Sequence, residues 1–212
     1  MRTETIEIFT YDELNNDAKE RARDWWRSIE AAQFDPSFAI EDAIDAARIL
    51  GIEISTHAVK LYGGGTRQEP NIWWSGVGSR DAGACFEGHY RYATGAAKRI
   101  REFAPTDTTL HAIADELQRV QRAAFYRLTA DVSHSGRHYH EYCAQIDVSD
   151  SSDSYRDLPE GAEDGISEAL RDFMRWIYRC LEADYEFALS DENVEEVIRI
   201  NGYEFDEHGN RV

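Results

Sequence analysis

The chain has no run approaching the roughly 18 apolar residues that a membrane-spanning helix needs, and its mean hydropathy is −0.61. A membrane span is therefore excluded. The first residues, Met-Arg-Thr-Glu-Thr-Ile-Glu-Ile, contain no apolar signal core, so a cytoplasmic location is expected. Cysteine is scarce: Cys85, Cys143 and Cys180 are odd in number and far apart. That excludes a disulfide framework and suits reduced thiols. Only Lys19, Lys60 and Lys98 are lysine among 23 basic residues, a bias from which no function follows. Recognised catalytic and cofactor signatures are also missing. The chain has no HExxH, CxxC, GxSxG, GxGxxG or GxxxxGK[ST] pattern, so no cofactor is expected.

Hydrophobic residues make up 42% and aromatics 12% of the 212 residues, enough to bury a real core. The 41 acidic residues outnumber the basic ones and give a net charge of −18. Residues 141–212 hold 20 acidic and 6 basic side chains, whereas residues 1–140 hold 21 and 17. Such a field repels nucleic-acid phosphate and attracts basic surfaces. The partner expected is thus a basic protein, one that itself binds nucleic acid, with no direct contact to nucleic acid or membrane.

Periodicity predicts helices and hairpin-type strands in mixed order. Thr5–Phe9 reads as a strand. Leu14, Ala18, Ala22, Trp25 and Ile29 form a helical stripe, with Thr10 and Glu13 as a capping box before it. Asp35 and Pro36 start a second helix, which Gly51 ends. Strands are expected over residues 52–62, 71–77, 85–92, 126–133 and 138–148, and helices over 96–103 and from Asp107. The longest helix follows, with Ile166, Leu170, Phe173, Ile177 and Leu181 on one face, and Ser190 caps a short last one closed by Gly202. No βαβ alternation, internal repeat or linker is present. The fold class predicted is α+β: one domain over residues 1–212, an antiparallel sheet of hairpins packed against several helices. Residues 149–165 form a long acidic loop, and the acidic helical part covers residues 166–202.

Candidate sites are few. His134, His138 and His140 cluster near Cys143, and on a regular strand His138 and His140 share a face. They are the candidate zinc or acid–base residues, although Cys143 has the opposite parity and the preferred reading is a polar hairpin tip. The small-residue segment Ser75–Ala84 reads as a tight turn rather than a phosphate cradle, because Asp81 would repel an anion. Cys85 and His89 have the spacing of a nucleophilic pair on a strand, but the apolar neighbours Ala84 and Phe86 favour an inert buried thiol. The expected partner-binding residues are Asp150, Asp153, Asp157, Glu160, Glu163 and Asp164, opposed only by Arg156, together with Trp26 and Trp73 as outward rings of two tryptophan pairs. Spread along an extended loop, these carboxylates would lie at roughly phosphate-like intervals of about 3.4 Å or its multiples.

Three segments together resemble small proteins of bacteriophages, prophages and plasmids, some labelled antitoxin of a toxin–antitoxin stability system. The first is Tyr11-Asp12-Glu13-Leu14 with Ala18-Lys19-Glu20-Arg21-Ala22 and Trp25-Trp26. The second, Ile72 to Gly88, is similar to an SGFxSxGDGAxFEG-like stretch through Ser75, Gly76, Ser79, Gly83, Ala84, Phe86, Glu87 and Gly88, while Val77, Asp81 and Ala82 depart from it. The third is Val132 to His140. The resemblance implies a mobile-element setting and brings no catalytic residues. By analogy with phage accessory proteins, it implies an acidic inhibitor, of the anti-CRISPR or another anti-defence type, acting in the cytoplasm of an infected or lysogenic host by mimicking nucleic acid. The alternatives are an antitoxin that neutralises a cognate toxin, and a small metal-dependent enzyme using the histidine cluster.

Overall fold

A computed structural model describes residues 7–77, 82–151 and 158–212. Its helices and antiparallel strands give the α+β class that the periodicity predicts. The chain folds as two compact units, Ser37–Leu181 and a smaller one made of both chain ends, Met1–Pro36 with Glu182–Val212.

In the larger unit, α1 (Ser37–Leu50) ends at Gly51, whose φ of +90° is the left-handed conformation expected of a helix-terminating glycine. Four strands follow antiparallel pairing in the order β1 (Ile52–Ile54), β6 (Gly88–Arg91), β7 (Leu128–His134) and β8 (Ala144–Asp150). Two further ladders pair β2 (Thr56–Lys60) with β3 (Thr66–Pro70), and β4 (Ile72–Ser75) with β5 (Gly83–Phe86). Helices α2 (Ala96–Phe103), α3 (Thr108–Ala123) and α4 (Ala162–Ala188) supply the other side of the core. The sheet alternates: Leu128, Ala130 and Val132 are buried, while Asp131 and Ser133 face outward. Phe86 meets Phe173 edge-on at 5.9 Å, joining a strand to α4. Asp107 caps α3 as predicted by accepting the Leu110 N–H at 2.8 Å, and also accepts the Trp176 indole N–H at 2.6 Å.

Gln121 shows how the chain turns from α3 into β7. It is fully buried, and its amide both accepts the Leu128 N–H and donates to the Leu128 carbonyl, at 3.1 and 2.7 Å. These bonds replace the ladder partners that the first strand residue would otherwise lack. The connection passes through Phe125 and Tyr126, both at positive φ (55° and 61°), a conformation that costs bulky residues roughly 1–2 kcal/mol each.

The smaller unit contains α5 (Asn16–Gln33), α6 (Asp191–Ile200), the last turns of α4 from Glu182, and a two-stranded ladder pairing Phe9–Thr10 with Glu204–Phe205. Its own core is Tyr11, Leu14, Ala18, Ala22, Val194, Ile198 and Phe205. The predicted strand Thr5–Phe9 falls partly outside the described residues. The capping box at Thr10 and Glu13 forms, with the Thr10 N–H donating to Glu13 at 2.8 Å, but it caps a 3-10 turn, Tyr11–Glu13. The long helix starts later, where Asn15 accepts the Ala18 N–H at 3.0 Å. Ser190 caps α6 through Asn193, and Gly202 follows it at a φ of 62°, as expected.

Candidate functional sites: a strand junction and an acidic unit

Two segments that the sequence presents as continuous strands, residues 52–62 and 85–92, each change partner midway. The strand through Ser55 leaves β6 to pair with β3. The strand through Asn71 leaves β2 to pair with β5. The strand through Glu87 leaves β4 to pair with β1. At the crossing the three residues bond in a ring: Ser55 N–H to Glu87 O at 2.9 Å, Glu87 N–H to Asn71 O at 2.9 Å, and Asn71 N–H to Ser55 O at 2.7 Å. Three ladders thus diverge from one point without leaving these amides unsatisfied. Gly88 is required beside it, since a Cβ there would meet the Glu53 carbonyl oxygen at 2.2 Å.

Side chains extend the junction. Asn71 is buried and donates through Nδ2 to Glu87 Oε2 at 2.8 Å, while Glu87 Oε1 accepts the His134 N–H at 3.2 Å. A carboxylate accepts only, so the Asn71 amide nitrogen must face Glu87 and its oxygen must face His57 Nδ1, 2.8 Å away. His57 therefore carries its proton on Nδ1 and presents Nε2 outward from the ring. Its ring stacks near Trp73 (6.3 Å, 22°), which is also close to His134 (5.8 Å) and Tyr139 (6.4 Å, 16°). The Ile72–Gly88 and Val132–His140 segments of the sequence meet here. Neither His57 nor Asn71 stands out in the sequence, because nothing in their spacing announces a contact made across 14 to 47 residues.

The histidine cluster is rearranged relative to its prediction. Residues 138–140 lie outside any strand, and a 3-10 turn at Glu141–Cys143 precedes β8, so His138 and His140 do not share a sheet face. The reason is the buried Glu141, held by Arg175 at 3.2 Å and beside His140 at 3.0 Å, which turns the chain inward. His134 Nε2 is bonded at 2.9 Å to the His138 carbonyl oxygen, and His140 Nδ1 accepts the Tyr142 N–H. Among the described residues no three His, Cys, Asp or Glu side chains form a set that could hold a metal ion. Cys85 is fully buried on β5 and burial pushes its thiol up to about 12, with Cys143 and Glu87 adding to the shift. His89, on β6, instead pairs with Asp131 at 2.8 Å.

The candidate acidic loop is shorter than predicted. Asp150 closes β8 with a side chain only 10% exposed, 3.3 Å from Arg127. Glu163 and Asp164 lie in the first turn of α4, which starts at Ala162 rather than Ile166, and Glu160 is in the turn before it. These positions are not an evenly extended row. Asp153 and Asp157 lie outside the described residues, as do residues 78–81 of the segment Ser75–Ala84. Trp73 and Trp26 are half-buried: Trp73 rests on the main core, and Trp26 packs on the smaller unit's core against Tyr203 at 5.4 Å.

The strongest charge feature is the smaller unit. It carries 19 acidic against 7 basic side chains, net −12 of the chain's −18. Three of its arginines are engaged by carboxylates. Arg23 meets Glu20 and Glu195, Arg27 meets Asp24, Glu20 and Asp191, and Arg199 meets Asp12 and Glu195. The hydrogen bond from Arg23 holds Glu20 below its usual range, with Arg27 adding to it. Burial works to raise Glu195, but bonds from Tyr11, Arg199 and Arg23 outweigh it and lower its pKa. Glu30, Glu182, Glu186, Glu192, Glu196 and Glu204 have no ion pair among the described residues. On α6, Glu192, Glu196 and Ile200 fall at i, i+4 and i+8 on one face, and Ile200 is 75% exposed.

No curated protein and no solved structure matches the chain. Residues 36–191 match the family described as Domain of unknown function (DUF8835), which covers the whole of the larger unit and leaves most of the acidic unit outside it. The chain belongs to that family.

Proposed function

We propose that this protein acts by binding a basic, nucleic-acid-binding protein and blocking its charged surface, with the smaller unit as the docking element. The observation that carries the reading is the uncompensated acidity of that unit: net −12 within 67 residues, with Arg23, Arg27 and Arg199 already matched by carboxylates. The remaining glutamates act as a field that speeds encounter with a basic surface. Ile200, exposed beside Glu196, supplies an apolar contact that charge alone does not give. The test is a double variant, Glu192→Gln with Glu196→Gln, assayed for inhibition of nucleic-acid binding by the captured partner. Association should slow severalfold, while dissociation changes little. Unchanged association in this variant, together with unchanged association in Ile200→Ala, would refute the α6 surface.

A second reading rests on the Glu87–Asn71–His57 chain, which fixes one histidine tautomer as a general base is fixed. It requires an acid–base activity that His57→Gln abolishes and that a triple alanine variant at His134, His138 and His140 retains. Activity unaffected by His57→Gln would end it.

A further inference from the structure

Beside the strand junction, β1 is the outermost strand of its four-stranded sheet. On its inner side the bonds Arg91 N–H to Gly51 O (3.0 Å) and Ser55 N–H to Glu87 O (2.9 Å) fix which residues bond to β6. Antiparallel pairing alternates, so Gly51, Glu53 and Ser55 face β6 with their backbone groups, and those of Ile52 and Ile54 point to the open edge. The neighbouring ladder does not cover that edge, because Asn71 binds the carbonyl of Ser55, the residue whose N–H bonds Glu87, so β3 pairs on the same side of the strand as β6.

A cavity of about 340 Å³ lies along this edge, lined by Ile44 and Arg48 of α1, by Ile52, Glu53 and Ile54 of β1, and by Pro70 and Arg91, with Gly51 and Thr56 at its ends. Ile52 belongs to the core face of the sheet and Arg91 to the opposite face, so the cavity straddles the edge rather than either face. Its charge is also unlike the rest of the molecule: two guanidinium groups against one carboxylate in a chain of net −18. Arg48 is drawn to Asp45 at 2.7 Å, and Arg91 is exposed with no side-chain partner among the described residues.

We infer that this edge accepts an extended, acidic peptide segment of a partner protein as an added strand on β1, with a carboxylate of the segment on Arg91. The N–H and C=O groups that Ile52 and Ile54 turn toward the edge supply the ladder, alternate side chains of the segment reach Ile44 and Ile54 on one side, and the guanidinium selects charge on the other. This surface is separate from the acidic unit and does not depend on its role.

The probe is a blocked peptide of alternating valine and glutamate, added to the full chain, with amide exchange read residue by residue. Exchange at Ile52 and Ile54 should slow at least tenfold, and the matching valine–lysine peptide should produce no such protection. Ile54→Pro removes one open donor while leaving the inner ladder intact, and should abolish the protection with the exchange of β7 and β8 unchanged. Arg91→Glu should weaken the glutamate peptide at least tenfold and admit the lysine peptide instead, and it decides the matter if Ile54→Pro fails to fold. Glu192→Gln with Glu196→Gln should leave peptide binding as it was. Equal binding of both peptides, protection confined to other residues, or no protection at millimolar peptide would overturn the inference.

Discussion

Replacing Asn71 by alanine removes the side chain of the strand junction while leaving its three backbone bonds possible. Two hydrogen bonds disappear: the charge-assisted one to Glu87 and the one from His57, each 2.8 Å long. The first is worth about 1.5–3 kcal/mol and the second about 0.5–1.5, and the half-buried Glu87 keeps only the His134 N–H. Partial solvation of Glu87 trims the sum, giving an expected loss of about 2–4 kcal/mol, or roughly 5–12 °C in a chain of this size. Asn71→Asp is isosteric and separates polarity from volume. It sets a second carboxylate against Glu87, a repulsion of up to about 4 kcal/mol at an effective dielectric near 20. Protonation relieves that repulsion, so the Asp variant should recover stability relative to wild type as pH falls from 7 toward 5. Denaturant unfolding at both pH values, with amide exchange at Ser55, Asn71 and Glu87, checks each part. A loss below about 0.5 kcal/mol in Asn71→Ala, or an Asp variant insensitive to pH, would refute the reasoning.

Gly88→Ala should destabilise the larger unit by about 1–3 kcal/mol or more, because the new methyl meets backbone rather than a movable side chain. Thermal denaturation measures it, and a neutral result would mean that β1 and β6 can part without cost. The pKa values of Glu20 and Glu195 are lowered in the folded chain, so their stabilisation is present above about 4.5 and lost as pH falls through the lowered values. The protection of α6 amides, corrected for the intrinsic pH dependence of exchange, should therefore fall on acidification below that point, and protection unchanged down to pH 2 would contradict the ion-pair account. Cys85 should resist an aromatic disulfide reagent at pH 8, while the half-buried Cys143 and Cys180 react sooner. Three thiols reacting at one rate in the folded chain would contradict its burial.

What is legible in the sequence is local. The stripe from Ile166 to Leu181, the caps at Asp107 and Ser190, and the terminating Gly51 and Gly202 follow from helical spacing and turn chemistry, and each is present. The junction is not legible, because residues 52–62 and 85–92 read as strands whichever partner they have. Only the ring of bonds among Ser55, Asn71 and Glu87 reveals the exchange. The parity expected of His138 and His140 fails for a similar reason. It presupposes a regular strand, and the distant Arg175 holds Glu141 in a turn. The division into two units leaves no mark on the sequence because no linker joins them: one connection is the junction at Pro36 and the other runs inside α4. The charge asymmetry is visible along the sequence. Folding does not sharpen it, because helix α5, with four acidic and four basic residues, joins α6 in the same unit.

The most direct test of the docking account is the association rate with the captured basic partner, measured against ionic strength for the wild-type chain and for a variant with Glu30, Glu182, Glu186, Glu192, Glu196 and Glu204 all changed to Gln. The account predicts a steep fall in the wild-type rate between about 50 and 200 mM salt, and a slower, much flatter dependence in the variant, with dissociation little altered. Identical salt dependence for the two proteins would contradict it.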